Sequence, residues 1–347
     1  MSVSSKFCKI RKLSFCFMFF YLSTALASNL PHREFNVTRQ SGWYRFASAD
    51  HDVLKCISFN TWGLPISLHG HDQKDRFERM PDSLLNVGAD ILCLQETFHP
   101  VLRNGIINKL TADYYFKGDY RCDQSVLGII QKDCRGGLMT FSKFPVVSEE
   151  FYPFPSIEGI SIVEKIGAKG FLFSVIDMDG KKLNIVNTHL YAGEDQNSEH
   201  KRLQQILFMK KKLAEIPEYY LFPTILMGDL NTTHPTIISD ERTHVKSEIY
   251  PILTSDLDFA DSCIEVCEND FTYNGKLNYY IKSKANLQKL DYCMFKNQKG
   301  TYKLQLLSQS LAFHYNSFLS DHFGLRVEFK INNNDFLESI DEFVIRY

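Results

Sequence analysis

Apolar residues in this chain recur with two different periods. Residues 53–60, 90–95, 137–141, 170–176, 183–188, 224–227, 290–295 and 324–331 are short, nearly continuous apolar runs. Runs of that length bounded by turn residues read as strands buried on both faces. Residues 72–87 instead carry Phe77, Met80, Leu84 and Leu85 at helical spacing with charges between them, and Gly88 is placed to end that helix. Residues 199–216 form a second amphipathic helix that stops near Pro217. Asp179-Gly180 supplies a hairpin turn between two of the strands. Strands outnumber helices, hairpins mix with strand–helix–strand units, and no Gly/Ser/Pro-rich linker divides the chain. The expected fold is therefore one α/β domain, with mixed sheets packed face to face, helices outside, and the functional site on loops at the strand ends.

The first segment breaks the pattern. Lys6, Lys9, Arg11 and Lys12 precede an apolar run, 13–26, that closes on Ala25-Leu26-Ala27 before Ser28. A basic start, a short apolar core and an Ala-x-Ala site read as a cleavable secretory signal. The run is shorter than the roughly twenty residues that span a bilayer. The expected organisation is a signal peptide over 1–27, an irregular arm over 28–50, a catalytic domain over 51–331 and a tail over 332–347, in a protein that is secreted or periplasmic. A glycosylation sequon, Asn36-Val37-Thr38, lies in the arm, and a second, Asn231-Thr232-Thr233, lies inside the chemistry described below.

Composition and charge narrow the function. With 44% hydrophobic and 23% charged residues the chain is globular. Its formal net charge is −2, and the leader carries four basic residues and no acid, so the remainder stands near −6. That balance disfavours a protein living on duplex DNA, where neutralising phosphates supplies the affinity. It does not exclude a nuclease, because a bound cation inverts the local field. Of nine cysteines, Cys56, Cys93 and Cys293 sit in apolar runs as small core residues. In an oxidising compartment Cys122 can pair with Cys134, and Cys263 with Cys267. No Cys pair has the spacing of a structural zinc site.

Four apolar runs end in chemistry. Glu96 closes Ile91-Leu92-Cys93-Leu94-Gln95-Glu96, where a carboxylate is tolerated only at a rim, in an ion pair, or on a hard divalent cation that prefers oxygen ligands. Asn60 closes Cys56-Ile57-Ser58-Phe59-Asn60 and is either a neutral amide beside the same ion or a turn former. His189 closes Ile185-Val186-Asn187-Thr188-His189 and is placed to donate to a non-bridging phosphate oxygen. Asp229 and Asn231 stand two apart after Gly228, taken as a sharp turn; in an extended segment both point the same way. The carboxylate can then orient an attacking water and the amide a phosphate oxygen, or the pair is an Asx-turn. His322, after Asp321, can act as general base or acid, with Asp291 as its orienting carboxylate. The remaining histidines read as surface or capping residues.

Taken jointly these positions resemble the endonuclease/exonuclease/phosphatase superfamily, over about 55–329. The resemblance implies a four-layer α/β/β/α sandwich and a Mg2+-dependent site, with Mn2+ or Co2+ as substitutes. Glu96 is then the principal metal ligand with Asn60 its neighbour. Asp229 and Asn231 match Gly-Asp-x-Asn, and Asp321-His322 matches Ser-Asp-His. Within the superfamily, Asn60-Thr61-Trp62-Gly63-Leu64-Pro65, the basic helix start Asp75-Arg76-Phe77-Glu78-Arg79, Gly136-Gly137 through Lys143-Phe144-Pro145, and Lys169-Gly170-Phe171 are similar to the neutral sphingomyelinase branch. Lys169 is there expected on the substrate phosphate. Leu290-Asp291-Tyr292 departs from the Cys-Asp-Arg motif of the inositol phosphatase branch. The branch implies hydrolysis of sphingomyelin, or a related choline phospholipid, at a membrane surface, to ceramide and phosphocholine. A secreted Mg2+-dependent endonuclease and a non-catalytic binding protein on the same scaffold are the alternatives. Secreted bacterial sphingomyelinases carry a long aromatic hairpin between the Asp-Tyr and Ser-Asp-His motifs. Here residues 293–319 are shorter and mildly aromatic, which leaves 151–155 and 219–223 as aromatic loops for a lipid interface.

Overall fold

The structure, a computed structural model, describes residues 52–64, 71–118, 125–126, 130–131, 135–234, 246–263, 270–300, 302–314 and 318–333. These fall in one compact unit, Asp50–Tyr347. The leader, the arm and residues 334–347 of the tail lie outside the described residues. So do Cys122, Cys134 and Cys267, and with them both disulfide pairings.

Along the chain, β1 (Val53–Gly63) is followed by α1 (Gln73–Asn86), β2 (Ile91–Thr97) and α2 (Pro100–Leu110). The short β3 (Ser125–Val126) and β4 (Ile130–Gln131) precede β5 (Met139–Ser142), β6 (Val146–Pro153) and α3 (Ile162–Gly167). Next come β7 (Gly170–Met178), β8 (Lys181–His189), α4 (Gln196–Leu213), α5 (Pro217–Leu221) and β9 (Thr224–Asp229). A π-helical turn at Ile252–Asp256 leads to β10 (Ala260–Asp261), β11 (Tyr273–Asn274), β12 (Leu287–Gln288), β13 (Asp291–Lys296), β14 (Tyr302–Ala312) and β15 (Gly324–Asn333).

Two mixed sheets result, as the apolar pattern implies. One has five strands in the order β14-β15-β1-β2-β5, the other six in the order β10-β13-β9-β8-β7-β6. Each has a parallel pair at its heart, β1 with β2 and β8 with β9, flanked by antiparallel neighbours. The inner faces meet in one apolar cluster, with Cys56, Cys93, Val327 and Phe329 from the first sheet against Ile185, Ile225, Met227 and Cys293 from the second. The helices cover the outer faces. Phe77, Met80 and Leu84 of α1 with Ile106 and Leu110 of α2 pack on the first sheet. Ile206, Met209 and Leu213 of α4 pack on the second. Burial on both faces explains why the central strands read as continuous apolar runs and not as alternating ones.

Local signals act where the chain reverses. Asp179 and Gly180 both have positive φ (54° and 92°), the type I′ geometry that matches strand twist. Gly88 (φ 67°) closes α1. The N-terminus of α4 is capped by Asp195, whose Oδ1 accepts from the Ser198 N–H at 2.7 Å, and Lys210, Lys211 and Lys212 stand in its last turn.

Several elements were invisible in the periodicity. Residues 151–153 are not a loop but the end of β6, where Tyr152 stacks on Phe171 at 4.9 Å, and Phe154 packs on Phe171 and Phe208. Residues 219–221 belong to α5, with Tyr219 buried in the outer core of the second sheet. β14 alternates buried Tyr302 and Leu304 with exposed Lys303 and Gln305, and its register shifts between Leu306 and Ser308. An edge strand with a bulge and a polar outer face carries too few apolar residues to register as a run.

The pin between α1 and the first sheet is Arg76, which is fully buried. It lies on the same helical stripe as Met80 and Leu84, and its guanidinium donates to four carbonyl oxygens, those of Thr61, Trp62, His71 and Leu319. The guanidinium also lies 4.7 Å from the centre of the Trp62 ring. One side chain thereby holds the end of β1 and the loop before His322 in a single frame. Replacing Arg76 with Ala leaves those carbonyls without a donor and is expected to cost about 3 kcal/mol or more in urea unfolding, with Arg76→Lys intermediate because an ammonium cannot span the same four acceptors. Burial pushes the thiols of Cys56, Cys93 and Cys293 up, so all three stay protonated and inert at neutral pH. Mass spectrometry after brief alkylation near pH 8 is expected to find them unmodified in native protein and fully modified in denaturant.

Candidate active site

The parallel pairs of the two sheets end at the same edge of the sandwich, and the residues they deliver face one another. Asn60 comes from β1 and Glu96 from β2. His189 and Asp229 are the last residues of β8 and β9 and are paired in register; Asp291, the first of β13, pairs with Asp229 from the other side. His322 arrives on the loop before β15.

Backbone irregularities aim these side chains. Between Asn60 and Gly63 the β1–β2 register breaks, two residues of β1 standing against one of β2. Trp62 (φ 51°) and Glu96 (φ 55°) are both left-handed there, strain of the kind that is kept when a side chain must be re-aimed. Gly63 is obligatory in that bulge, because a Cβ would sit 2.6 Å from the Glu96 carbonyl oxygen and 2.5 Å from the Phe77 ring. Gly228 is not a turn, contrary to the sequence reading. It lies inside β9, hydrogen-bonded between β8 and β13, and a Cβ there would meet the Thr188 carbonyl oxygen at 1.9 Å. The chain bends at Asn231 (φ 51°), so the extended-segment spacing argument fails at that residue. The Asx-turn forms, with the Asn231 N–H donating to Asp229 Oδ1 at 2.9 Å, and the Asn231 amide nitrogen reaches back to the Leu190 carbonyl at 3.2 Å.

The side chains interlock. Asn60 Nδ2 donates to Glu96 Oε1 (3.1 Å) and Asp229 Oδ2 (2.9 Å), bridging two carboxylates, while its Oδ1 accepts from the Trp62 N–H (3.0 Å). His322 Nδ1 is 2.7 Å from Asp291 Oδ2, and its Nε2 stands 3.9 Å from Asp229 Oδ2. His189 Nε2 lies 3.7 Å from Glu96 Oε1 and 3.6 Å from Asp229 Oδ2, beyond hydrogen-bond reach. Asp321 contacts Ser320 Oγ at 3.2 Å, and the same hydroxyl accepts from the His322 N–H. Lys169 Nζ is buried and held by Glu164 (3.0 Å) and the Leu190 carbonyl (2.8 Å), next to His189 in the chain.

Burial and charge sort the protonation states. Burial raises Glu96, and it pushes Asp229 and Asp321 each up to about 6, against the opposing pull of His322 on all three. For His322 burial acts downward, but the carboxylates of Asp291, Asp229 and Asp321 outweigh it and hold the imidazole well above 6.5. Burial, helped by Lys169 and His322, drives His189 well below 6.5. His189 is therefore neutral, and its approach to Glu96 and Asp229 is a contact of a neutral ring, not an ion pair.

Two overlapping sets, Glu96/His189/Asp229 and Asp229/Asp291/His322, each bring donor atoms within 4.8 Å of one another. Glu96 Oε2, Asp291 Oδ1 and both ring nitrogens of His189 are buried with no hydrogen-bond partner. A carboxylate oxygen withdrawn from water without a donor fits a hard divalent cation. Glu96 fits that role; Asn60 stands beside it, bridging the Glu96 and Asp229 carboxylates through Nδ2, with one lone pair of Oδ1 used by the Trp62 N–H and a second left over. His234, read as a surface residue, is buried, with Nε2 3.0 Å from the Tyr250 hydroxyl.

Supporting residues that sequence reasoning passed over surround this set. Asn278 Nδ2 donates to the Ser320 carbonyl at 2.8 Å, and the Tyr273 ring packs edge-on to His322 at 5.2 Å. Beneath the site Gln95 Nε2 donates to Asn187 Oδ1 (2.9 Å), joining the two sheets through a buried polar layer. Polar residues inside apolar runs were the available signal for Gln95 and Asn187, and a lone Arg on an apolar stripe for Arg76.

Comparison with known proteins agrees with this geometry. The chain is 25% identical over 162 residues to sphingomyelinase C 2 of Leptospira interrogans, a stretch that is 42% of this chain and 24% of that protein. The aligned part thus spans about a quarter of that relative's length. Among solved structures the fold is similar to TDP2 of D. rerio complexed with single strand DNA product (TM-score 0.61, 18% identity, 80% of this chain and 99% of that chain). It is similar also to sphingomyelinase C from Streptomyces griseocarneus (TM-score 0.57, 20% identity, 80% and 99%). At such identities the two structures establish a common fold. A family model described as the Endonuclease/Exonuclease/phosphatase family matches residues 57–322, from the strand that carries Asn60 to His322 itself, and the chain belongs to that family.

Proposed function

We propose that this chain is a secreted, Mg2+-dependent phosphodiesterase that hydrolyses sphingomyelin to ceramide and phosphocholine. The observation that carries the chemistry is the buried Asp291–His322 pair facing Asp229, with the unpartnered Glu96 oxygen in the same cluster. The lipid is supported by the partial likeness to a sphingomyelinase C and by the Trp62-Gly63 bulge and Lys169-Gly170, the elements in which the sequence resembles that branch. Asp291 accepts the Nδ1 proton of His322 and leaves Nε2 to exchange a proton with the attacking water or the leaving alkoxide. Asp229, fixed by Asn60 and the Asn231 N–H, orients the water. Neutral His189 donates one ring N–H to a non-bridging phosphate oxygen, a role for which it has no competing partner. Asn231 and Lys169 both donate to the Leu190 carbonyl, next to His189 in the chain, and that proximity supports their assignment to the same phosphate. Water forms the new P–O bond, the ester bond to ceramide breaks, and the water's proton ends on the ceramide hydroxyl. Glu96 would hold a divalent cation, which when bound would supply positive charge for the phosphate and leaving oxygen.

A second reading, a phosphodiesterase acting on DNA, is favoured by the fold shared with TDP2, a protein seen with a single-stranded DNA product. A panel of sphingomyelin vesicles, phosphatidylcholine vesicles and single-stranded or duplex oligonucleotides, with Mg2+ or EDTA, separates the two. Phosphocholine release that requires Mg2+ is the expected result. Cleavage confined to oligonucleotides overturns the lipid assignment. His322→Ala is expected to lower kcat by about 10²–10⁴-fold, and Asp291→Asn by about 10–100-fold, as an orienting partner.

The raised carboxylates add a pH dependence. Glu96, Asp229 and Asp321 bind more protons folded than unfolded; in metal-free protein the contribution of Asp229 and Asp321 to stability falls as pH rises from about 4 through about 6, and Glu96 acts in the same direction. A cation binds only the ionised carboxylates and reverses that loss. The rise in Tm on adding Mg2+ is therefore expected to be larger near pH 7 than near pH 5, and to vanish in Glu96→Ala; scanning fluorimetry reads both.

A further inference from the structure

The wall of the site beside His322 is the segment between β11 and β12, residues 275–286. Its base is closed by the β11–β12 pairing and by the Gly275 N–H donating to the Asn286 carbonyl at 2.7 Å. Its inward side chains join the catalytic frame. Fully buried Asn278 donates to the Ser320 carbonyl, Ile281 is buried, and the Tyr280 ring lies 5.4 Å from Trp62 and 5.6 Å from the Arg76 guanidinium.

The outward side chains are of a different kind. Lys276, Leu277, Tyr279, Lys282 and Lys284 are all exposed, with Leu277 56% and Tyr279 59% accessible. No acidic residue occurs between Asp270 and Asp291, so the segment is locally cationic in a chain whose net charge is −2. Tyr279 leans on Tyr280 and Phe318, at 4.3 and 5.2 Å between ring centres, which fixes its direction while leaving it open to solvent. An exposed leucine and tyrosine flanked by lysines suit a bilayer interface, where the apolar groups enter the acyl boundary and the ammonium groups meet anionic headgroups. Nucleic acid would use the lysines and the tyrosine ring but has no use for an exposed leucine.

The aromatic stretches that the sequence pointed to do not offer such a surface. The 151–154 rings pack on the core. Tyr220 and Leu221 are exposed, yet α5 precedes the start of β9, five residues or about 17 Å of strand from Asp229.

We propose that Leu277 and Tyr279, with Lys276, Lys282 and Lys284, form a docking surface for a bilayer carrying anionic phospholipid, and that Asn278 couples this surface to the Ser320–His322 loop. The surface gives the lipid-hydrolase reading its means of reaching an aggregated substrate and rests on that reading for its purpose. Its test does not require turnover. Full-length protein in EDTA is partitioned onto sphingomyelin-free vesicles of phosphatidylcholine with and without phosphatidylserine. Leu277→Asp/Tyr279→Ser is expected to lose at least about tenfold in partitioning to both. Lys276→Glu/Lys282→Glu/Lys284→Glu is expected to lose about fivefold per lysine, only on vesicles that contain phosphatidylserine. Tyr220→Ser/Leu221→Asp, equally exposed at the far end, is expected to partition like the parent. In Mg2+, the Leu277/Tyr279 variant should hydrolyse soluble bis-p-nitrophenyl phosphate at the parental rate, which also shows that it is folded. Parental partitioning by that variant, or equal loss in the α5 control, overturns the docking assignment. So does a lysine variant that loses binding to a labelled single-stranded oligonucleotide but not to vesicles. A parent that docks yet cleaves neither sphingomyelin nor the soluble diester leaves docking standing and removes the catalytic reading instead.

Discussion

The constraint on which the rest of this structure depends is the packing of carboxylates at one end of an apolar sandwich. Asp229 and Asp291 are almost wholly buried and paired in register on adjacent strands, and Glu96 stands against them from the other sheet. Like charges brought together in low dielectric repel strongly and lose their hydration, so the site persists only because other groups offset that cost. Asn60 bridges two of the acids, His322 is held as a cation between two of them, and Glu96 and Asp229 sit with raised pKa values. The buried, unpartnered oxygens of Glu96 and Asp291 suit a divalent cation, whose charge would offset the repulsion that these groups leave.

Holding that cluster open requires stiff supports, and they come from outside it. Arg76 ties the end of β1 to the loop before His322, Asn278 holds the same loop from the other side, and Gln95 with Asn187 prevents the sheets from sliding beneath it. The strained bulge at Trp62 and Glu96 is tolerated because Arg76 and the Trp62 ring brace it. The supports and the rim are continuous: Tyr280 touches the Trp62–Arg76 stack from a segment whose other face is cationic and apolar.

Much of this was legible because it is written in local pattern. Continuous apolar runs gave the central strands, since strands covered on both faces have no polar side to alternate with. The helical stripe 77, 80, 84 placed α1, and Asp179-Gly180 placed a hairpin. What escaped were elements whose stability is tertiary: β14, an edge strand with one wet face; β6, whose end at 151–153 read as part of an aromatic loop; and α2 and α5, too short or weakly patterned to stand apart. Gly228 was misread for a related reason. A glycine can mark a turn or a close approach, and only the neighbouring Thr188 carbonyl distinguishes them.

By itself the sequence determined the class of fold and which polar residues terminate the apolar runs, because a strand buried on both faces is mostly apolar and its charged groups collect at its ends. It determined equally the family, which rests on the spacing and identity of those terminal groups from Asn60 to His322. Tertiary structure decided how they meet: that the Asn60 amide spends its nitrogen on two carboxylates and its oxygen on Trp62, that His189 is neutral beside two acids, and that Arg76 is a buried clamp and not a surface base. Those outcomes depend on dielectric and on partners hundreds of residues apart in sequence, such as Arg76 and Leu319, and no local pattern encodes either.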